Sequence, residues 1–469
     1  MMSSDTLLES YINDSRSLFE KTLAQMVEIP SVSSDPSRAS DIRKMANLGV
    51  EILKKAGAKG RIVETSGSPA VSGGWLVGNH YPSLTIYNHL DVQPADEPEW
   101  QQAPFSFIKE NDRYGGRGST DDKGPALAAL FAARYAIEQG VRLNIRFLWE
   151  LEEEIGSPNF PEILHQAEFV PRSDSVLVSD TIWVAKNRPA IPCGLRGLLT
   201  ARMTLQTGET DVHSGLTGGG ARNPLGELCE IAHACVDSKT GRVKIPGFYD
   251  QVIPPSKTEL KDFLASGFQV SRFQESFKLR SLRTQDRTEL IQRIWTDPTF
   301  EIHGLVGGHT GSGVKTVVPP RGELKVSMRL VPNQRPEKIF TLLKRFVKHI
   351  NPNVRIEHDG KLEPFRGIST GPYAEALVRS VQTGFGKSPV YVKEGGSIGA
   401  IAALNRVWKV PILFMGLSLP EHGYHAPNEY FDWRQASGGM RTFVQYFREL
   451  ADMGRPEEKK TQPKRRPKI

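Results

Sequence analysis

The chain has 469 residues, of which 38% are hydrophobic and 24% are charged. This composition is typical of a globular protein, and it excludes a mostly disordered chain, a fibrous one and an integral membrane protein. Because single cores tend to divide beyond ~250 residues, the length predicts two domains.

The net charge of +7 is concentrated at the C-terminus. Residues 454–469 hold seven Lys or Arg and two Glu, so the rest of the chain carries only +2. We therefore expect a disordered basic tail and neither a nucleic-acid nor a membrane partner. The three cysteines, Cys193, Cys229 and Cys235, lack CxxC spacing, and the N-terminus does not resemble a secretory signal. Both features favour a cytoplasmic protein.

The first part of the chain alternates between predicted helices and strands. Apolar spacing predicts helices over 5–27 and 38–56, and a third over 125–140. Short β-prone runs cover 84–88, 143–149, 175–179 and 411–416. This order predicts an α/β fold in which a mostly parallel sheet carries helices on both faces.

The middle of the chain follows another pattern. Its predicted elements are strand 198–206, helix 223–236, strands 300–304 and 322–331, helix 336–350 and strand 353–358. That order is the ferredoxin-like βαββαβ motif. We therefore expect residues 197–367 to form an inserted α+β domain, with 238–297 as an irregular, charged excursion. The first domain then comprises 1–196 and 368–453, and it resumes with helix 374–386 and strand 390–394.

Acidic and imidazole side chains follow four of the predicted strands. His89 and Asp91 follow the first, Glu150 and Glu152–Glu154 the second, Asp180 the third, and His422 and His425 the last. Ligands bind outside the carboxyl ends of the strands in such sheets. The pattern predicts a functional site at this edge.

The residue types in this set suit metal ions. His89 could bind a metal while Asp91 accepts its other ring N–H, although a surface pair is the alternative. Asp121 or Asp122 could bridge two cations, or cap the helix that follows. Three adjacent carboxylates at 152–154 repel one another unless cations neutralise them.

Five positions together could hold two divalent ions. Such a centre needs one imidazole and one terminal carboxylate for each ion and a shared bridging carboxylate. The candidate ligands are His89, Asp121, Glu154, Asp180 and His425. The remaining neighbour, Glu153, is then the candidate general base for a bound water.

Two other motifs offer different chemistry. Residues 308–316 nearly spell a phosphate-binding loop, but Val314 stands between the glycine and the lysine and the spacing fails. Residues 395–399 satisfy G-x-S-x-G, so a serine hydrolase with Ser397 as its nucleophile is a competing hypothesis. It leaves the acidic strand ends unexplained. A non-catalytic binding protein is a third hypothesis, and the complete ligand set argues against it.

Ten segments in order resemble the co-catalytic metallopeptidases that include aminoacylases, glutamate carboxypeptidase and, most closely, carnosinases and cytosolic non-specific dipeptidase. The segments are NHLDVQPA (88–95), YGGRGSTDDKGP (114–125), EEIGS (153–157), SDTIW (179–183), GLRG (194–197), DVHSGLTGG (211–219), SGVKTVVP (312–319), VSMRLVP (326–332), EGGSIGA (394–400) and HAPNE (425–429).

The resemblance implies roles for individual residues. His89 and Asp180 would hold one metal, Glu154 and His425 the other, and Asp121 would bridge them. Asp91 would orient His89, and Glu153 would be the base and then the acid. The resemblance further implies substrate-binding roles for His213, Thr316, Arg329 and Ser397.

The resemblance also implies a function and an assembly. His213 would reach the active site of a second subunit, so the inserted domain would be a lid and a dimerisation domain. The expected activity is metal-dependent cleavage of dipeptides or of C-terminal residues from short peptides. An N-acyl or N-carbamoyl amino-acid amidohydrolase is the alternative. Two zinc ions per subunit are expected, with manganese as the second choice.

Overall fold

A computed structural model describes residues 4–166 and 173–455. Most of the predicted basic tail, 456–469, lies outside the described residues. The helices are α1 (Ser4–Val27), α2 (Ala39–Lys55), α3 (Gly124–Glu138), α4 (Phe160–Leu164), α5 (Ser214–Thr217), α6 (Pro224–Cys235), α7 (Lys257–Ala265), α8 (Val270–Ser276), α9 (Arg287–Trp295), α10 (Pro336–Ile350), α11 (Pro372–Phe385), α12 (Gly399–Val407) and α13 (Trp433–Met453).

The strands form five sheets within the described residues. The strands are β1 (Lys59–Val63), β2 (Ala70–Trp75), β3 (Ser83–His89), β4 (Ile108–Glu110), β5 (Arg113–Gly115), β6 (Asn144–Glu150), β7 (Ser175–Val178), β8 (Ala190–Leu195), β9 (Gly197–Gln206), β10 (Val212–His213), β11 (Glu301–Gly307), β12 (Val317–Val318), β13 (Arg321–Leu330), β14 (Arg355–Leu362), β15 (Phe365–Arg366), β16 (Val390–Glu394), β17 (Ile412–Phe414) and β18 (Tyr430–Asp432).

The largest sheet is mostly parallel, as the sequence predicts. Its order is β1-β2-β6-β3-β7-β17, and the neighbours β6, β3, β7 and β17 all run parallel. Successive residues of β3 face opposite sides of this sheet, and each side has its own apolar core. Ile86 packs with residues of α1, α2, α3, α11 and α13 on one side. Tyr87 packs with residues of α4 and α12 on the other. The prediction of helices on both faces is confirmed.

The inserted segment forms a second, antiparallel sheet. Its strand order is β11-β13-β9-β14, and α6 and α10 cover one face with an apolar core of their own. Numbered within the motif, this is the order 2-3-1-4 that the ferredoxin-like fold requires. The prediction of that fold is confirmed.

The excursion 238–297 differs from its prediction. It contains three helices, α7, α8 and α9, instead of irregular chain. Phe263 and Trp295 of these helices pack with Trp183 and with Val392 of β16. The excursion therefore packs against the three-stranded sheet β15-β8-β16. Many charged residues hid its short apolar faces in the sequence.

No helix within residues 4–166 and 173–455 combines the length and the apolar character needed to cross a bilayer.

Candidate metal centre and substrate site

His89 is placed at the carboxyl end of β3 and is almost completely buried. Its Nδ1 lies 3.0 Å from the backbone carbonyl oxygen of Asp91 and 3.5 Å from the Asp91 carboxylate. Because a carbonyl oxygen only accepts, Nδ1 carries the proton. Nε2, on the other side of the ring, is therefore the nitrogen that can bind a metal ion.

Asp121 lies between the two candidate histidines. Its Oδ1 is 2.9 Å from His89 Nε2, and its Oδ2 is 2.9 Å from His425 Nε2. Asp122 instead accepts a hydrogen bond from Asn88 over 2.8 Å. Of the two aspartates that the sequence leaves open, only Asp121 faces both imidazoles with separate oxygens.

The other candidate ligands flank this central group. Asp180 Oδ1 lies 3.8 Å from His89 Nε2, and Glu154 Oε2 lies 3.3 Å from His425 Nε2. Glu153 shares a cluster with His89 and Asp180 in which potential ligand atoms are all within 4.8 Å of one another. The structure thus brings together five residues that follow four different strands and Asp121 from the turn before α3.

The electrostatics of the cluster show excess negative charge. Burial, and then the charge of Asp180, hold the pKa of Glu153 well above its usual range. Burial also raises the pKa of Asp180 to about 6. Burial opposes the charged form of His425, but Asp121 and Glu154 outweigh it and raise its pKa to about 11. Two imidazoles cannot neutralise this many buried carboxylates, so the site favours cations.

The donor set fits divalent metal ions. Asp121 has one oxygen directed at each imidazole, while Asp180 and Glu154 stand at the two ends of the row. Imidazole nitrogens and carboxylate oxygens are ligands that zinc and manganese both accept. The residues present therefore fit a two-metal centre.

Asp91 connects the metal ligands to the candidate base. Its two carboxylate oxygens accept the backbone N–H groups of Glu153 and Glu154 over 3.2 and 3.1 Å. One buried carboxylate thus holds the turn that carries both residues. Asp91 contacts His89 mainly through its backbone carbonyl oxygen, whereas its carboxylate positions the turn.

Glu429 is a positioning residue that sequence reasoning missed. Its Oε1 accepts the N–H groups of Thr120 and Asp121 over 2.9 and 3.1 Å. Its Oε2 accepts from Gly118 N–H and from Arg117, both over 2.9 Å. Glu429 is the one acidic residue of the HAPNE segment (425–429), and that position is the signal in the sequence that could have found it.

A second group of candidate residues carries positive charge. Arg329 on β13 donates from Nη1 to Ser397 Oγ over 3.0 Å, and burial lowers the pKa of this guanidinium. Ser397 in turn donates to the backbone carbonyl oxygen of Arg196. The Ser397 hydroxyl therefore contacts a guanidinium and a carbonyl oxygen. A serine nucleophile instead needs an adjacent general base to take its proton. This geometry does not support the serine-hydrolase hypothesis.

His213 and Thr316 lie together on another part of the fold. Both are exposed at the two-stranded antiparallel sheet of β10 and β12 in the inserted segment, where Ser214 N–H donates to the Thr316 carbonyl oxygen over 3.0 Å. His213 Nδ1 accepts the N–H of Gly215 over 2.9 Å, so its proton is on Nε2. Within the described residues Thr316 makes no hydrogen bond with Arg329 or Ser397, although the resemblance implies a substrate-binding role for all three.

The fold and this cluster are those of a two-domain metallopeptidase. The chain belongs to the Peptidase family M20/M25/M40, whose sequence pattern matches residues 85–449.

Known relatives extend over nearly the whole chain. It is 30% identical to a Cys-Gly metallodipeptidase of Schizosaccharomyces pombe, over 96% of this chain and 99% of the relative. It is 28% identical to the β-Ala-His dipeptidase of Rattus norvegicus, over 95% of each chain. A solved metallo-carboxypeptidase of Sulfolobus solfataricus is 31% identical and superposes with a TM-score of 0.85, over 92% of this chain and 99% of that one.

These likenesses confirm the family that the sequence motifs predict. The relatives are named as metallopeptidases and not as deacylases, so the amidohydrolase alternative is not favoured.

Proposed function

We propose that the protein is a metal-dependent dipeptidase that hydrolyses small peptides with a free C-terminal carboxylate. The observation that carries this proposal is the row formed by Asp180, His89, Asp121, His425 and Glu154, with Asp121 at its centre. Dipeptidase activity of two relatives supports the substrate class.

In this proposal His89 and Asp180 hold one metal ion, Glu154 and His425 hold the other, and Asp121 bridges them. Zinc is the first choice and manganese the second. Both metals accept imidazole and carboxylate ligands. When bound, such ions supply a water of lowered pKa and polarise the substrate carbonyl.

Glu153 moves the proton. It takes a proton from the attacking water onto a carboxylate oxygen and then donates it to the departing amine nitrogen. Its cluster with His89 and Asp180 supports this role. Asp91 keeps the carboxylate in place by holding the Glu153 backbone N–H over 3.2 Å.

Arg329 and Ser397 orient the substrate. A guanidinium suits a bidentate contact with a carboxylate, and the Ser397 hydroxyl lies 3.0 Å from it. Binding the C-terminal carboxylate here would set the register of the scissile bond and limit cleavage to the last peptide bond.

A second copy of the chain completes the site. His213 carries its proton on Nε2, which is the form that donates to negative charge developing on a carbonyl oxygen. Helix α5, which directly follows His213, also carries Leu216, which is 86% exposed. On the inserted sheet, the edge strand β11 exposes Ile302, Leu305 and Val306, and unpaired apolar edges tend to be covered by another chain. We propose a homodimer through the inserted domain, with His213 and Thr316 facing the partner's site.

The domain limits are part of the same proposal: a catalytic domain of 1–196 and 368–453, and a lid of 197–367. The end of β8 at Leu195 and the start of β9 at Gly197 support the first limit. A cytoplasmic location stays a prediction from the cysteine content and the N-terminal sequence.

The test is a panel of substrates on metal-stripped protein resupplied with zinc or manganese. The panel contains Ala-Ala, Cys-Gly, β-Ala-His and N-acetyl amino acids. The proposal predicts cleavage of dipeptides that returns only with metal. Cleavage confined to N-acetyl amino acids would identify a deacylase, and activity that survives stripping would return attention to Ser397.

A further inference from the structure

Arg196 occupies the junction between two sheets. It is the single residue between β8 and β9, and β9 begins the ferredoxin-like sheet. In the sequence, Arg196 is distinguished only by its place in the GLRG segment (194–197). Its contacts, however, converge on the segment 394–397, which carries Ser397.

Three contacts tie Arg196 to that segment. Its backbone N–H donates to the Glu394 carbonyl oxygen over 3.3 Å, and its Nε donates to the Gly395 carbonyl oxygen over 3.3 Å. Its own carbonyl oxygen accepts the hydroxyl of Ser397. The hydroxyl that Arg329 contacts is therefore oriented by the Arg196 backbone.

The other side of the guanidinium is held by the excursion 238–297. Nη1 of Arg196 lies 3.4 Å from each of two carbonyl oxygens, those of Arg293 and Asp297, at the end of α9. The packing is tight, because a Cβ added to Gly395 would lie 2.9 Å from Arg196 Nη2 and 3.1 Å from the Ile294 carbonyl oxygen. Arg196 thus links the excursion to the segment that carries Ser397.

Arg196 and Arg329 also place two positive charges near each other. Burial, and then the charge of Arg329, lower the pKa of Arg196 to about 10. Glu301 and Asp297 act in the opposite direction. Two partly buried cations repel one another, and a bound anion relieves that repulsion.

We infer that Arg196 is a positioning residue for the substrate's C-terminal carboxylate, and that the excursion 238–297 holds Arg196 in place. Arg196 fixes Ser397 next to Arg329, because its backbone carbonyl oxygen accepts the Ser397 hydroxyl. This inference rests on the proposed function. It assigns the excursion a role in recognising peptides with a free α-carboxylate.

The test compares two substrates in the same enzyme: Ala-Gly, and Ala-Gly amide, which lacks the carboxylate. The variant is Arg196→Gln. The control is Arg202→Gln, which removes a cation from β9, the strand that follows Arg196, where Arg202 pairs with Asp359 over 3.4 Å. The ratio of kcat/KM for the two substrates is independent of the fraction of protein that is folded.

We expect Arg196→Gln to raise KM for Ala-Gly and to lower its kcat/KM by about 10–100-fold, the scale of a misplaced substrate contact. The amide should lose less than about threefold, and metal content should not change. Arg202→Gln should keep the wild-type ratio. Gly395→Ala disturbs the same segment from the other side and should also lower the ratio, so the test does not depend on one buried substitution.

The outcomes separate this inference from the proposed function. If wild-type protein cleaves neither substrate, the dipeptidase proposal fails. If wild-type protein cleaves both equally, the assignment of the carboxylate site fails. If wild-type protein prefers the free carboxylate and both variants preserve that ratio, Arg196 has only a structural role and the inference is overturned.

Discussion

The backbone N–H of Asp121 donates to the buried carboxylate of Glu429 over 3.1 Å. The proposed bridging ligand is therefore held from behind by an acid whose carboxylate is bonded to Arg117 and to backbone N–H groups. Such supporting partners often set metal affinity as strongly as the ligands do.

Replacing Glu429 should weaken metal binding. In Glu429→Gln, one carboxylate oxygen becomes an amide NH₂ that cannot accept from Gly118 or Arg117. We expect metal affinity to fall about 10–100-fold, measured by competition with a chelator. Glu97→Gln is the control, because Glu97 is partly exposed and lies 3.8 Å from the same arginine. Unchanged affinity in Glu429→Gln would contradict the supporting role.

Replacing Glu153 should separate metal binding from catalysis. Glu153→Gln removes the proton acceptor but keeps the size of the side chain. We expect two metal ions per chain by elemental analysis and a kcat lower by about 10²–10⁴-fold, the usual contribution of a general base. Near-normal turnover in the metal-loaded variant would eliminate Glu153 as the base.

Glu150 should make stability depend on pH. It is buried, it accepts from the Tyr87 hydroxyl over 2.6 Å, and burial raises its pKa from 4.5 to about 8. The folded state keeps this carboxyl protonated in that window, whereas the unfolded chain ionises it. Its contribution to stability is therefore complete below pH 4.5 and is lost as the pH rises through about 8.

The matching variant is Glu150→Gln. Relative to it, the wild type should lose about 1.4 kcal/mol of unfolding free energy per pH unit within this window. Melting temperatures of the two metal-loaded proteins at pH 5 and pH 8 measure the difference. Glu51→Gln, which removes an exposed carboxylate of α2, is the control for the loss of one charge. A constant difference between wild type and Glu150→Gln would contradict the assignment.

Mixed dimers should show whether His213 acts across the subunit interface. His213→Ala and Glu153→Gln are each expected to be inactive alone. In a mixed dimer, one site combines an intact Glu153 from one chain with an intact His213 from the other. Co-expression should then restore up to half of the wild-type activity per dimer. If the mixture stays inactive while mixed dimers are isolated, His213 does not act in trans.

The sequence predicted the fold wherever one periodicity dominated. Runs of apolar residues predicted buried strands such as β3 and β7. Apolar residues at helical spacing predicted the amphipathic α10. The helices α7 and α9 were missed because each has nine residues, which is shorter than the stretch over which helical periodicity is judged. A capping box at Ser256 and Glu259 was an available signal for α7.

The site was predictable to the extent that its residues follow strands. His89 and Asp180 stand directly after parallel strands, so topology alone brings them together. Glu429 and Arg196 act through backbone groups of distant segments, and no local pattern encodes such contacts. The choice of Asp121 over Asp122 depended on a resemblance, and the side-chain directions now give it a physical reason.

The central claim is that this cluster binds two metal ions and that hydrolysis depends on them. The most direct measurement titrates metal-stripped protein with zinc while bound metal and Ala-Gly hydrolysis are followed together. We predict saturation and full activity at two ions per chain, and saturation at one in His425→Ala. Hydrolysis by the stripped protein, or two bound ions in His425→Ala, would contradict the account.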